Sequence, residues 1–335
     1  MLTRKQWGSR AVTEADLGTT IQITRPPQQY PISRIYVVLR GEITIGAVGA
    51  VDYVSGDEFM KRVFSRIQFQ LGGANFLKDI PGYCSDIMTM TRNVGWGCQN
   101  QYGPGDVWTT GDTIQIFSTQ VVEFADPNTI NGANSTLIPS LYPDLQLNVG
   151  IATLADLCTA GDWDYTFVGN LSVTVEQVTD LQVNVNTLMK EFTQITDITA
   201  TGNLAIDLTN GILITEMLVV PLVDGVPSNA AIDLTEVFRI NVDSGTVILD
   251  ERYKDDVNVI DYMDVQANYP LYYLITQTGV SAPYLHYNLD FNHDAKNLFD
   301  NRQIRKWQLE VPAVFSALTN NQILIHYVGK APVRS

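Results

Sequence analysis

Apolar and polar residues alternate with a period of two in short runs along most of the chain, and this pattern constrains the fold more than any other feature. In residues 64–71, Ile67, Phe69 and Leu71 alternate with polar residues. A strand with one buried and one solvated face has this period. Similar runs, rich in residue types that favour strands, lie near residues 21–23, 43–45, 114–116, 145–149, 171–175, 181–185, 204–208, 240–242, 257–259, 309–311 and 323–325.

Turn-forming dipeptides separate these runs, and helical patterns are scarce. The dipeptides are NG at 131–132 and 210–211, DG at 224–225, SG at 244–245, and PG at 81–82 and 104–105. Short helices are expected near residues 84–93, 186–195 and 295–303. Many short strands without long alternating helices predict an all-β fold of sandwiches or barrels.

The strand-like segments occur twice in the same order. The matching segments are 35–46 with 214–225, 64–73 with 237–249, 86–90 with 259–263, 141–150 with 305–311, and 171–178 with 321–329. A repeated order of this kind is typical of a duplicated structural unit. It predicts two similar β-units, joined near residues 180–200.

Residues 21–90 carry a resemblance to a known family, mainly through "YPISRIYVVLRGEITI" (30–45), "VFSRIQFQLGG" (63–73) and "DIPGY" (79–83). The chain resembles the double jelly-roll major capsid proteins of tailless icosahedral viruses, which include adenovirus hexon and the coat proteins of membrane-containing bacteriophages. The resemblance implies two tandem eight-stranded jelly-roll barrels with few short helices. The expected parts are an N-terminal arm over residues 1–18, a first jelly roll over 19–185 and a second over 186–335.

The same resemblance implies a structural function without catalysis. The expected protein is a coat protein that forms a homotrimer, and each trimer is a pseudo-hexagonal block of an icosahedral virion shell, assembled in the host cytoplasm. Its expected partners are neighbouring capsomers, minor capsid or penton proteins and, through the arm, an internal membrane or the genome. Gly72 and Gly73 are similar to the turn after a core strand of the first barrel. They match neither phosphate-binding glycine pattern.

The charge distribution bears on the N-terminal segment. The net charge of −15, from 21 basic and 36 acidic residues, argues against a dedicated nucleic-acid-binding protein. Residues 1–66 nevertheless contain nine basic and six acidic residues. Arg4, Lys5 and Arg10 surround Trp7, a composition that suits an anionic surface. These four residues are the predicted membrane- or genome-facing site, and a frayed terminus with incidental charge is the alternative.

The sequence offers little catalytic or metal-binding chemistry. Its histidines are His286, His293 and His326, without an HxH, HExxH or GxSxG motif. We therefore predict no catalytic residue, cofactor or metal, and expect His326, on the polar side of a strand, to be solvated or to lie at a rim. The segment from Asp290 to Asn301 resembles a calcium loop but lacks its glycine and its final glutamate.

An alternative function is a carbohydrate-binding or carbohydrate-active β-sandwich. The acidic run 250–264 could supply paired carboxylates for glycoside hydrolysis, and tyrosines near it could form a sugar platform. The competing interpretation is a solvated loop beside core aromatics.

The three cysteines, two of the tryptophans and the most apolar segment each lead to a prediction. Cys84, Cys98 and Cys158 form no CxxC pair and are predicted to be unpaired thiols. Trp96 and Trp108 lie in a glycine-rich loop and are predicted to mark an interface; if buried, they would close a barrel end. Residues 211–223 are strongly apolar but too short to span a bilayer.

Overall fold

The computed structural model describes most of the chain. The described residues are 2–24, 26–27, 29–46, 51–56, 59–72, 76–91, 102, 105–125, 135–142, 144–179, 187–209, 212–242, 247–254, 283–289, 299–300 and 306–332. The helices are α1 (Phe59–Arg62), α2 (Gly82–Thr91) and α3 (Leu154–Leu157), with single 3₁₀ turns at Glu14–Asp16, Pro139–Leu141 and Asn229–Ala231.

Strands dominate the described residues. Those before residue 180 are β1 (Leu2–Thr13), β2 (Thr20–Thr24), β3 (Ile32–Ile45), β4 (Tyr53–Ser55), β5 (Phe64–Gln70), β6 (Phe76–Pro81), β7 (Val107–Trp108), β8 (Thr113–Glu123), β9 (Gln146–Ile151), β10 (Cys158–Ala160) and β11 (Tyr165–Val178). Those after it are β12 (Thr187–Asp197), β13 (Gly202–Asp207), β14 (Leu213–Val223), β15 (Val226–Pro227), β16 (Phe238–Val242), β17 (Val247–Arg252), β18 (Leu285–Asn288), β19 (Phe299–Asp300), β20 (Trp307–Ala313) and β21 (Asn321–Pro332).

The strands form two barrels of antiparallel sheets. In the first barrel, β1-β11-β3-β8 is one sheet and β2-β9-β5-β6 is the other. In the second, β12-β21-β14 continues into β18 and β19, and β13-β20-β16-β17 is the facing sheet. The short strands β10-β4-β7 form a small separate sheet. Each barrel therefore has two four-stranded layers around an apolar core.

The two barrels share one strand order. The eight principal strands are β1, β2, β3, β5, β6, β8, β9 and β11 in the first barrel, and β12, β13, β14, β16, β17, β18 with β19, β20 and β21 in the second. Numbered along the chain within each barrel, they are arranged first-eighth-third-sixth in one layer and second-seventh-fourth-fifth in the other. β18 and β19 together occupy the sixth position of the second barrel. The predicted duplication is thus confirmed for four of its five matched segments. The match of 86–90 with 259–263 was wrong in its first member, because residues 86–90 lie in α2 rather than in a strand. Residues 259–263 lie outside the described part of the chain.

The N-terminal segment is a strand rather than an arm that precedes the first strand. β1 pairs antiparallel with β11 from Leu2 to Thr13, with a register shift between Gln6 and Gly8. It is the edge strand of its sheet, and Val12 is its one buried residue. Apolar and polar residues alternate only in a strand that keeps one face buried along its length. β1 has no such face, and the bulge moves the residues that follow it to the opposite face of the sheet.

The short-helix expectations had mixed outcomes. α2 confirms the helix expected near residues 84–93. Residues 187–197 form β12 instead of a helix. There, Leu188 and Met189 are buried consecutively, which is typical of a strand covered on both faces and imitates a helical pattern. Most of 295–303 lies outside the described residues.

Gly72 lies in the hairpin that connects β5 and β6. β5 and β6 pair antiparallel from Arg66 to Pro81, and Gly72 between them has φ of 109°. Only glycine adopts this conformation without strain. The structural-turn interpretation is confirmed at Gly72, and Gly73 lies outside the described residues.

Two glycines inside the first barrel make room for a large ring. Gly41 and Gly169 pair across β3 and β11. A Cβ atom on Gly41 would lie 2.6 Å from the Phe167 ring and 2.9 Å from the Gly169 Cα. Phe167 is buried, so its ring occupies the space that the two missing side chains leave.

The buried apolar residues that the structure describes form two clusters. One lies within the first barrel and extends to residues of the second; the other lies within the second barrel. Among the described residues, no helix combines the length and apolarity needed to cross a bilayer.

Candidate functional site

The most distinctive site is the junction between the two barrels, and β14 shows how it is built. Met217 and Val219 belong to the core of the second barrel. Leu218, Val220 and Leu222 point to the other side of the strand and belong to the cluster of the first barrel. A strand covered on both faces reads as a continuous apolar run, which explains residues 211–223 of the sequence.

The neighbouring strands β12 and β21 are divided in the same way. Ile325 and Tyr327 pack into the second core, whereas Met189, Leu324 and Val328 join the cluster of the first barrel. Side chains on the outer faces of β12, β14 and β21 thus pack against the first barrel. The junction is an apolar interface inside a single chain.

The sheets of the two barrels also meet edge to edge. β6 of the first barrel lies beside β12 of the second, in parallel, with Lys78 opposite Glu191. This contact joins two four-stranded layers into one ten-stranded sheet that also includes β15. This single pairing between β6 and β12 places the charged side chains of Lys78 and Glu191 at the centre of the junction.

These charges form a buried cluster. The Lys78 Nζ lies 2.7 Å from the Glu191 Oε1, and the two side chains are 0% and 3% exposed. The His326 Nε2 lies 3.1 Å from the Glu191 Oε2, and its Nδ1 lies 3.3 Å from the Thr193 Oγ1. The Thr193 hydroxyl donates to the Asp79 carbonyl on β6. The expectation of a solvated or rim His326 was wrong: the side chain is fully buried, because the polar side of β21 is covered by the first barrel.

The surroundings of this cluster are apolar. Lys78 Nζ lies 5.5 Å from the centre of the Phe124 ring. Burial, together with the negative charge of Glu191, raises the pKa of the Cys84 thiol on α2. Charges in such a medium are strongly coupled because they are little screened. A second buried pair lies in the same sheet, where the His286 Nε2 is 3.2 Å from the Glu216 Oε2.

Three of the four residues predicted to face a membrane or genome contact the protein itself. The Arg4 Nε donates to the Glu176 Oε2 at 3.2 Å, and Arg10 Nη2 donates to Asp16 Oδ1 at 2.5 Å. The Trp7 indole donates to the Thr24 carbonyl and packs edge-on against Phe69. Lys5 is exposed. These contacts fix β1 against the first barrel.

Arg4 belongs to a row of alternating charges across the first sheet. Arg4, Glu176, Arg34 and Glu123 lie side by side on β1, β11, β3 and β8. The Arg34 Nε lies 3.3 Å from the Glu123 Oε1 and 3.9 Å from the Glu176 Oε1. Opposite charges on directly paired strands stabilise the pairing. We name these four residues the charge row.

Trp108 is not an exposed interface residue. It is 8% exposed and packs edge-on against Phe59 and Tyr102. The interface interpretation was therefore wrong for Trp108, because this residue lies on β7, which pairs with β4, and its indole packs into the core. Trp96 lies outside the described residues.

Cys84 and Cys158 are free and buried, as predicted, and Cys98 lies outside the described residues. No cluster of three or more potential metal ligands occurs in the described part of the chain. Nearly all of the calcium-like segment 290–301 lies outside it, as does most of the acidic run 250–264.

Comparison with known proteins identifies the fold. No family model matches the chain, and no curated protein matches it. The structure is similar to the MCP of STIV (Sulfolobus turreted icosahedral virus), with a TM-score of 0.73 and 11% identity over 99% of this chain and 97% of that one. The chain has the double jelly-roll fold.

Two further solved structures match this double jelly roll along its whole length. The major capsid protein P2 of bacteriophage PM2 has a TM-score of 0.59 and 11% identity, covering 100% of both chains. The PBCV-1 virus capsid has a TM-score of 0.59 and 8% identity, covering 100% of this chain and 97% of that one. At such low identities the likeness is one of fold.

Residue-level prediction did not find the junction, although one signal was present. The apolar run 211–223 contains Glu216 and Pro221; it was predicted to be too short for a membrane span and to include a strand of the second unit, but not a strand between two barrels. A strand-length run that is apolar on both faces indicates a strand between two layers. The pairing of Lys78 with Glu191 has no local signal, because it joins residues 113 positions apart.

Proposed function

We propose that this double jelly roll is a major capsid protein, a structural coat protein that forms trimers and tiles an icosahedral virion shell. The observation that carries the proposal is the pair of barrels with one strand order, packed together through an apolar junction. Such a chain presents two similar lateral faces. Three copies related by a threefold axis would then form a closed, pseudo-hexagonal block.

The matched solved structures support this proposal through their printed names. The PM2 protein is a major capsid protein, and the PBCV-1 match is a virus capsid. Because the matches extend over nearly the whole chain, the shared architecture includes both barrels and not one jelly roll alone. A coat function requires complementary surfaces rather than catalysis, so the proposed role is non-enzymatic.

The proposal includes the organisation and surroundings of the chain. We place the first jelly roll up to residue 185 and the second from residue 186, with β1 as part of the first. The proposed location is the virion shell, after assembly in the host cytoplasm, with neighbouring capsomers and minor or penton proteins as partners. Contact between the N-terminal strand and a membrane or genome remains a prediction, in which exposed Lys5 is the best-placed cation.

The test is the assembly state of the purified protein. Light scattering after size-exclusion chromatography should give a trimer at micromolar concentration that resists dilution and added salt, because obligate interfaces are large and apolar. Electron microscopy should show blocks with a pseudo-hexagonal outline. A stable monomer would contradict the proposal and favour the carbohydrate-related alternative, which glycan binding assays would then examine.

A further inference from the structure

We propose that Lys78 and Glu191 condense to an isopeptide bond, which cross-links the two barrels covalently. The inference is independent of the proposed capsid function. It rests on the buried cluster at the junction, where an amine, a carboxyl group and an imidazole meet.

Placement is the first argument. Lys78 and Glu191 face each other on the neighbouring parallel strands β6 and β12, and the amine nitrogen lies 2.7 Å from a carboxyl oxygen. Two reactive groups held at contact distance react as if at very high concentration, since the entropy of their encounter has already been lost. Both strands are fixed by long antiparallel partners, β5 and β21.

The medium is the second argument. Lys78 and Glu191 are 0% and 3% exposed, and the Phe124 ring covers the amine. Burial disfavours charged forms, so it favours proton transfer from the ammonium to the carboxylate. The product is a neutral amine beside a neutral carboxylic acid. A desolvated lysine is a nucleophile in this form, and exclusion of water opposes the reverse hydrolysis.

His326 supplies the third requirement, acid–base catalysis. Its Nε2 lies 3.1 Å from Glu191 Oε2, the carboxyl oxygen that is not paired with Lys78. The Thr193 hydroxyl donates to the Asp79 carbonyl, so its oxygen is available to accept from the His326 Nδ1. The ring is thereby oriented with Nε2 toward the oxygen that must leave. His326 contacts a reacting atom and is the catalytic residue of the proposed reaction.

The reaction balances without a co-reactant. One ammonium proton moves to Oε2, and the Nζ lone pair attacks the Glu191 Cδ, so that the Nζ–Cδ bond forms while the carbonyl electron pair moves to Oε1. His326 takes a second proton from Nζ and delivers it to Oε2. The Cδ–Oε2 bond breaks, and the carbonyl at Oε1 is restored. One water leaves with Oε2 and two protons, and the amide keeps the third.

Intact-mass spectrometry of the denatured, reduced full-length protein tests the proposal. The wild-type mass should fall below the sequence mass by one water molecule. A tryptic digest should contain a branched peptide that joins the segments around Lys78 and Glu191, without cleavage after Lys78. The full sequence mass together with linear peptides at both positions would overturn the proposal, and this measurement needs no variant.

Two variants examine the site. Lys78→Arg should restore the full mass, whereas Lys190→Arg, which changes a half-exposed lysine next to Glu191, should retain the loss of water. A loss that persists in Lys78→Arg would contradict the proposed bond. His326→Gln should slow accumulation of the cross-link after synthesis by about 100-fold, the usual contribution of a general acid–base group. An unchanged rate would contradict its catalytic role.

Discussion

At the scale of single residues, burial determines the reactivity of the two described cysteines. Burial raises the pKa of Cys158 to about 12, and burial also raises that of Cys84. The thiolate is the reactive form, so almost none is present at pH 8. In a Cys98→Ser variant, native protein should therefore resist iodoacetamide at pH 8, and two thiols should react after unfolding. Rapid labelling of Cys84 in native protein would contradict the described packing.

The space above Gly41 allows a second prediction for a single residue. In Gly41→Ala, the new Cβ would lie 2.6 Å from the ring of buried Phe167 and 2.9 Å from the Gly169 Cα. Overpacking of this kind costs about 1–3 kcal/mol of unfolding free energy. Chemical denaturation measures the loss. Phe167→Leu in the same protein should recover part of it, because a smaller side chain relieves the contact; no recovery would show that the ring is not the cause.

Prediction from the sequence was also limited at the scale of residues. The polarity of a side chain in a strand predicts its face, and this rule failed at His326 because both faces of β21 are covered. It failed at Trp108 because a glycine-rich loop does not reveal whether its ring turns inward. Gly72 was predicted well, since positive φ between two strands leaves a local signal.

At the scale of elements, the attachment of β1 depends on its contacts with β11. Arg4 is the outermost member of the charge row and donates to buried Glu176. Arg4→Ala should therefore raise hydrogen–deuterium exchange in residues 2–13 more than in the other strands. Lys5→Ala, at an exposed neighbouring position, is the matched control and should leave exchange unchanged. Equal effects of the two variants would mean that the pair with Glu176 does not hold the strand.

The same strand shows which elements a sequence reveals. β9, β11 and β20 alternate because one face meets a core and the other meets solvent. β1 is almost wholly exposed and β12 is covered on both sides at its start, so neither presents a clean period of two. The correspondence between the two halves could nevertheless be predicted, because both halves keep the same strand order even where a strand lacks the alternation of apolar and polar residues.

At the scale of the whole molecule, the shared junction makes the barrels thermodynamically dependent. Leu218 lies in the second barrel but packs into the cluster of the first. Leu218→Ala should cost about 2–5 kcal/mol and lower the unfolding temperature of both barrels together. Calorimetry should show one transition, and hydrogen exchange should increase in β5 as well as in β16. Two separate transitions, with only one displaced, would contradict a shared core.

The apolar outer face of β14 limits how the two halves of this chain can evolve. The second half of the chain, produced alone, would present Leu218, Val220 and Leu222 to water and would tend to aggregate. If recombination exchanges one half of the gene at the junction, the new first half must have a surface that fits this sheet of the second barrel. The two halves therefore resemble each other in topology but cannot replace each other in the chain. Mutations at the junction are expected to accumulate in compensating pairs, one in each barrel.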